Sequence, residues 1–194
     1  MSDAFMPASP SGPPETIVLI RHGEKPTIEN KAPFGVDING NQNFSSLLPV
    51  GWQRAGALSV LFRPSVGPLT VPNRLYSPNY GTKRATTNHR TYETIVPLMD
   101  RLNLQIHNPF KEGQEEKLAK AIVAHDSGTS LVCWEHTHIP VIAANIPVAQ
   151  GQDVPTAWPG DRFDVIWLFA LATATPTYTF AQLPQLLMSR DLPI

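Results

Sequence analysis

One cysteine in 194 residues leaves no pair to bridge, which excludes an internal disulfide framework and a four-thiolate zinc site. That thiol, Cys133, lies inside an apolar run and reads as buried packing. Charge is scarce as well: Asp, Glu, Lys and Arg make up 16% of the chain and almost cancel, at a formal net charge of −1. Without a global basic field to attract nucleic acid or an anionic membrane, any affinity for an anion must come from a local site. No apolar run approaches the ~20 residues needed to cross a bilayer. Residues 1–15 have neither a basic n-region nor an apolar h-region, so no secretory signal is expected and the expected setting is cytoplasmic.

Proline is in excess, with twenty residues or about twice average usage. Pro7, Pro10, Pro13 and Pro14 fall among Ser, Ala and Gly near the start, which predicts a flexible arm over 1–15 and a single domain over 16–194. Thr16–Ile20 is a β-branched apolar run of strand length that stops at Arg21-His22-Gly23-Glu24. Lys25 to Ser46 is polar and rich in Gly and Asn, and reads as a loop. Pro49 suits a first helical turn, followed by Ala55, Leu58 and Phe62 at helical spacing. Arg74–Ser77 is a short strand, and Asn88–Leu102 a helix that Pro97 must kink or delay.

Gly113–His125 has Glu115 and Glu116 in its first turn and an apolar side of Leu118, Ala121 and Ile122, so it reads as a helix. Its last pair, His125-Asp126, reads as a solvated terminus. Ser130–Trp134 and Asp164–Leu171 are apolar strands, and Tyr178–Phe180 a short edge strand. Continuous apolar strands alternating with helices predict a three-layer α/β/α sandwich with a mostly parallel sheet buried on both faces. Ligands bind beyond the carboxyl ends of strands in such sheets, which would gather Arg21, His22 and His136 at one rim.

The chemistry of those residues suits phosphoryl transfer. A neutral imidazole attacks phosphorus when its other nitrogen's hydrogen is fixed by an acceptor. Beyond that, the reaction needs in-line positioning and positive charge around the equatorial oxygens. Arginine offers a planar donor fork matched to phosphate, and Gly23 lets backbone approach an anion closely. The surface-turn alternative for this four-residue string stays open on the string alone.

Four blocks together carry a resemblance. They are Ile17-Val18-Leu19-Ile20-Arg21-His22-Gly23; Leu47 with Gly51 and Ala55; Ser77-Pro78 followed by Arg90 and Thr94; and Leu131-Val132-Cys133-Trp134-Glu135-His136. Their order, over residues 16 to 170, resembles the histidine phosphatase superfamily, the phosphoglycerate mutase-like group with an Arg-His-Gly motif. The resemblance implies that His22 is the nucleophile and that Arg21, Arg90 and His136 complete the phosphate pocket. Arg84 competes with Arg90 for the second arginine role. Four residues beyond Arg90 stands Thr94, whereas four beyond Arg84 stands Asn88, which favours Arg90.

The proton donor is open among Glu24, Glu29, Asp37, Glu93 and Glu135. Glu24 and Glu135 rank first because they adjoin the motif histidines. The implied activity is phosphomonoester hydrolysis without cofactor, on a phosphorylated small molecule or a phosphoprotein, releasing inorganic phosphate; no nucleic acid or membrane partner is expected. Mutase-type transfer and a non-catalytic phosphate-binding module are the alternatives. A zinc enzyme built on His22, Glu135, His136 and His138 is disfavoured, because the linear spacing completes no ligand set and arginines would be misplaced beside a cation. No metal site is therefore assigned. Trp134, Trp158, Phe163 and Trp167 are expected to be core or loop anchors.

Overall fold

The computed structural model describes residues 12–63, 67–80, 89–173 and 175–194. Six strands and four helices alternate along them: β1 (Thr16–Arg21), α1 (Pro49–Leu61), β2 (Arg74–Tyr76), α2 (His89–Leu102), β3 (Ile106–His107), α3 (Glu115–His125), β4 (Thr129–Trp134), α4 (Ile139–Ala144), β5 (Val165–Leu171) and β6 (Tyr178–Pro184). They form one sheet in the order β3-β2-β4-β1-β5-β6. The first four strands are mutually parallel, β5 runs antiparallel to β1, and β6 runs antiparallel to β5.

Apolar side chains line both faces of the central strands because both faces are covered. Ile17, Leu19, Val132, Trp134, Trp167 and Phe169 point into one core with α3 and α4. Val18, Ile20, Leu131, Cys133, Ile166 and Leu168 alternate into the other, with α1 and α2. The chain is thus α/β with a mostly parallel mixed sheet, and two helical layers fit a three-layer arrangement. Cys133 is fully buried, as its apolar surroundings predict. Among the described residues no helix is long and apolar enough to cross a membrane.

Several details differ from the sequence reading. The edge strand β6 is longer than Tyr178–Phe180, reaching Pro184 through a full ladder with β5. Helix α2 is continuous from His89 to Leu102 with Pro97 inside it, so the proline does not delay its start; lacking an N–H, it leaves the Glu93 carbonyl without its helical donor. Asp126 is buried rather than solvated: it accepts from the Tyr76 hydroxyl (3.0 Å) and from Ser130 Oγ (2.5 Å). Strand β3 and helix α4 were not anticipated. Of the N-terminal arm, 12–15 lie among the described residues, and here Pro14 is buried with its carbonyl accepting from the Tyr178 hydroxyl (2.8 Å).

Turn and helix meet backbone to backbone where β1 ends. A Cβ on Gly51, in the first turn of α1, would lie 2.5 Å from the Glu24 carbonyl oxygen; one on Gly23 would lie 3.0 Å from the Gly51 oxygen. Neither backbone has a flexible end to move aside. Gly56, on the same helix, would meet nothing within 4 Å. Gly51→Ala is therefore expected to destabilise the fold by about 1–3 kcal/mol through overpacking. Gly56→Ala is expected to stabilise it by about 0.5–1 kcal/mol through helix propensity. Urea unfolding followed by circular dichroism checks both, and a shift of the same sign in the two variants would refute the close-approach argument.

Candidate functional site

Parallel pairing of β1 with β4 sets Arg21 opposite Trp134, so the two chains leave the sheet side by side as Arg21-His22 and Glu135-His136. Strand β5 runs the other way, and its start, just after Phe163, comes to the same rim beside Ile20. Residues remote in sequence converge here for that reason.

His22 is completely buried. Its Nδ1 lies 2.7 Å from the Gly23 carbonyl oxygen, an acceptor that fixes the ring hydrogen on Nδ1 and leaves the lone pair on Nε2. Among the described residues Nε2 has no hydrogen-bond partner. Burial holds the imidazole well below its ordinary pKa, and Arg90, Arg21 and Lys25 push the same way while the Gly23 bond opposes them. The ring is neutral at physiological pH with its lone pair free.

Arg21 is gripped by the loop before β5. Its Nη1 donates to the Gly160 carbonyl (3.0 Å) and the Arg162 carbonyl (3.4 Å), and its guanidinium carbon stands 3.9 Å from the centroid of the Phe163 ring. Burial pulls its pKa down to about 10, still charged at neutral pH. Its Nε is buried and has no partner among the described residues. Phe163 also packs its ring 5.9 Å from that of His22. This loop aromatic thus packs against both Arg21 and His22. Trp158 does serve packing: it stacks on Trp167 at 5.1 Å, with Nε1 donating to the Arg162 carbonyl (2.9 Å).

Arg90 opens α2, close enough to the site for its charge to be felt at Arg21, His22 and Lys25. The Thr94 hydroxyl explains the spacing. It donates to the Arg90 carbonyl (2.6 Å) and accepts from the Gly23 amide (2.8 Å), so one side chain ties the helix that carries the arginine to the turn that carries the histidine. Arg84 lies outside the described residues. Lys25, which the sequence reading left in a loop, joins the cationic group; burial first, then Arg90 and Arg21, lower its pKa. Its only sequence signal is that it follows the motif directly.

His136 Nδ1 lies against Glu135 Oε1, although not along a hydrogen-bond direction. Burial and Arg21 lower its pKa. Burial acts to raise the Glu135 carboxyl, but donors outweigh it: the Thr137 hydroxyl, the Thr137 amide (2.8 Å) and the neighbouring histidines carry it below the ordinary carboxylate range. A ligating atom from each of His22, Glu135 and His136 lies within 4.8 Å of the other two. His138 turns away, its Nδ1 3.0 Å from Glu115 Oε1.

The proton-donor ranking changes. Glu24 does not face His22: Arg54 grips its carboxylate through Nη2 (2.7 Å) and Nε (3.1 Å). Adjacency in sequence misled there, because the side chain leaves the turn toward α1. Glu93 is buried too, accepting from Ser46 Oγ (2.8 Å) and the Leu47 amide (3.0 Å). Glu112, which sequence reasoning missed, stands before α3 with a buried Oε1 lacking a partner among the described residues. Burial raises its pKa, and it interacts electrostatically with His138, Glu135 and Arg90. No motif marks it; its one sequence signal is its place in the stretch 103–113, which could cover the site, and the fold brings it near Glu135 and Arg90. Neither the protein-family models nor the curated proteins compared with the chain match it.

Glu93 gives a stability test. Burial lifts its pKa from 4.5 to about 7, against the Ser46 and Leu47 bonds. The fold therefore holds that proton more tightly than the unfolded chain does, and its contribution to stability declines as pH rises from 4.5 through about 7. The displacement corresponds to about 3 kcal/mol. Glu93→Gln keeps an acceptor for the Leu47 amide, turns its NH2 to Ser46 Oγ, which then accepts instead of donating, and removes the charge. Urea midpoints from pH 5 to pH 8 are expected to fall more steeply for the parent than for the variant; parallel slopes would refute a strained carboxylate at this position.

Proposed function

We propose that the protein hydrolyses phosphomonoesters through a phosphohistidine formed on His22, with no metal or organic cofactor in the reaction. The observation that carries this reading is the state of His22: buried, with its hydrogen fixed on the Gly23 carbonyl and an unpartnered Nε2, amid the charges of Arg21, Lys25 and Arg90. A neutral nucleophile inside a cationic cup is what an incoming phosphoryl dianion requires. The resemblance of the four ordered sequence blocks to the histidine phosphatase superfamily supports the same reading.

In the first step Nε2 attacks phosphorus, the P–O bond to the leaving group breaks, and Glu112 gives its proton to the departing oxygen. In the second, water attacks the phosphohistidine and returns a proton to Glu112. The P–N bond breaks and inorganic phosphate leaves. Arg21 and Arg90 offer forked donors to the equatorial oxygens, and His136 donates to a further oxygen as charge develops. Glu112 is preferred as the acid because its buried oxygen is unpartnered whereas Arg54 occupies Glu24. A phosphorylated small molecule or a phosphoprotein in the cytoplasm is the proposed substrate class.

His22→Ala is expected to abolish turnover of p-nitrophenyl phosphate and the acid-labile phosphoryl label. Full activity in that variant would dismiss the mechanism. Glu112→Gln is expected to slow hydrolysis of an alkyl phosphate by about 10²–10⁴-fold, since the alkoxide needs a proton. The same variant should change p-nitrophenyl phosphate turnover only a few-fold, because that leaving group scarcely needs one. Equal losses on both substrates would remove Glu112 from the acid role. Phosphate binding without turnover by the unaltered protein would favour a binding module instead.

A further inference from the structure

We infer that the same rim holds a zinc-class ion through His22, Glu135 and His136, and that the ion acts as a reversible block on the nucleophile. One ligating atom from each of these residues lies within 4.8 Å of the other two, so small side-chain adjustments bring all three to one ion. The available lone pair on His22 is that of Nε2, because Nδ1 is committed to the Gly23 carbonyl. That nitrogen is fully buried with no partner among the described residues. It resembles a metal-binding histidine in which the second nitrogen is fixed by a backbone acceptor.

Two imidazoles and one carboxylate select zinc or its neighbours among transition metals, not magnesium or calcium, which take oxygen ligands. Three protein ligands also leave one position open for water or an anion. The charges of Arg21, Arg90 and Lys25 are felt at His22, and His136 and Glu135 already contact each other. The cations oppose the ion directly, yet they favour an anion on its open position. Binding is therefore weaker than at a purely acidic or imidazole site, which suits a reversible inhibitor.

Occupancy and catalysis exclude each other because both use the Nε2 lone pair: nitrogen bound to zinc cannot attack phosphorus. No bond is made or broken beyond coordination. Metal binding itself is independent of the phosphatase reading, whereas inhibition rests on it.

The test titrates zinc chloride into the full chain, cleared with EDTA and dialysed, by isothermal calorimetry, with cobalt(II) absorption as a second probe of ligand geometry. One equivalent is expected to bind. Affinity is expected to weaken more than about tenfold in each of His22→Ala, Glu135→Gln and His136→Ala, with far-ultraviolet dichroism checking that each variant is folded. Zinc should also inhibit p-nitrophenyl phosphate turnover over the concentration range of the calorimetric transition, and EDTA should reverse it. Binding weaker than about 1 mM, or undiminished in all three variants, overturns the site while leaving phosphatase activity to be judged on its own. Zinc that binds at these residues and raises turnover overturns the inhibitory role and the metal-free mechanism together.

Discussion

The register of β1 against β4 is the constraint on which the rest of the site depends. Thr16 pairs with Thr129 and Arg21 with Trp134, so both strands end at the same level. A slip of one residue would turn Ile17 and Leu19 from one core into the other and reverse the face of Arg21. With both faces buried, such a slip is opposed from both sides by side chains that have no room to exchange. Arg21, His22 and His136 therefore owe their placement to hydrocarbon packing several residues away.

A second restraint works from the far end of the chain. Arg54, 3% exposed, forks between Glu24 and Asp191 and also donates to Gln185 (3.1 Å). It joins α1, the turn after His22 and the C-terminal segment. The Arg54 guanidinium beside Asp191 and Glu24 is held above its ordinary pKa, and Asp191 below its own despite burial. Buried ion pairs of this kind contribute little net stability over a well-packed apolar substitute, but breaking one leaves an uncompensated charge at a cost of about 3–5 kcal/mol. The network is best understood as fixing geometry: Glu24 is pulled toward α1, and Gly23 is brought against Gly51.

Much of this was legible in the chain. Apolar runs of strand length at 16–20, 130–134 and 164–171 gave both the α/β class and the double-sided burial, because a strand covered on one face only would alternate. Thr94 four residues beyond Arg90 was a pattern without a mechanism until its hydroxyl was seen to bridge the Arg90 carbonyl and the Gly23 amide. What escaped reading depended on direction or on tertiary return. Periodicity carries no sense of strand direction, so the antiparallel β5, and with it the arrival of Phe163 at His22, could not be foreseen. Asp126 looks like a helix end in sequence, but the partners that bury it, Tyr76 and Ser130, lie on two different strands. Glu112 belongs to no motif, and the fold is what brings it near Glu135 and Arg90.

The site's electrostatics follow from a single competition. Burial strips water from His22, which penalises an imidazolium, and three nearby cations deepen the penalty. In the proposed reaction the same cations would attract a phosphoryl dianion, so one arrangement would both free the lone pair and bring the group it attacks. Glu135 moderates that field; ionised and accepting from the Thr137 hydroxyl and amide, it offsets part of the positive charge at Arg21, Arg90 and Lys25. A carboxylate at this position is awkward for a dianionic ligand and useful for a metal ion, while the arginines have the opposite bias. Selectivity between the two proposed occupants would thus be a balance between neighbouring charges of opposite sign, and the lone pair on His22 Nε2 is the feature both proposals need.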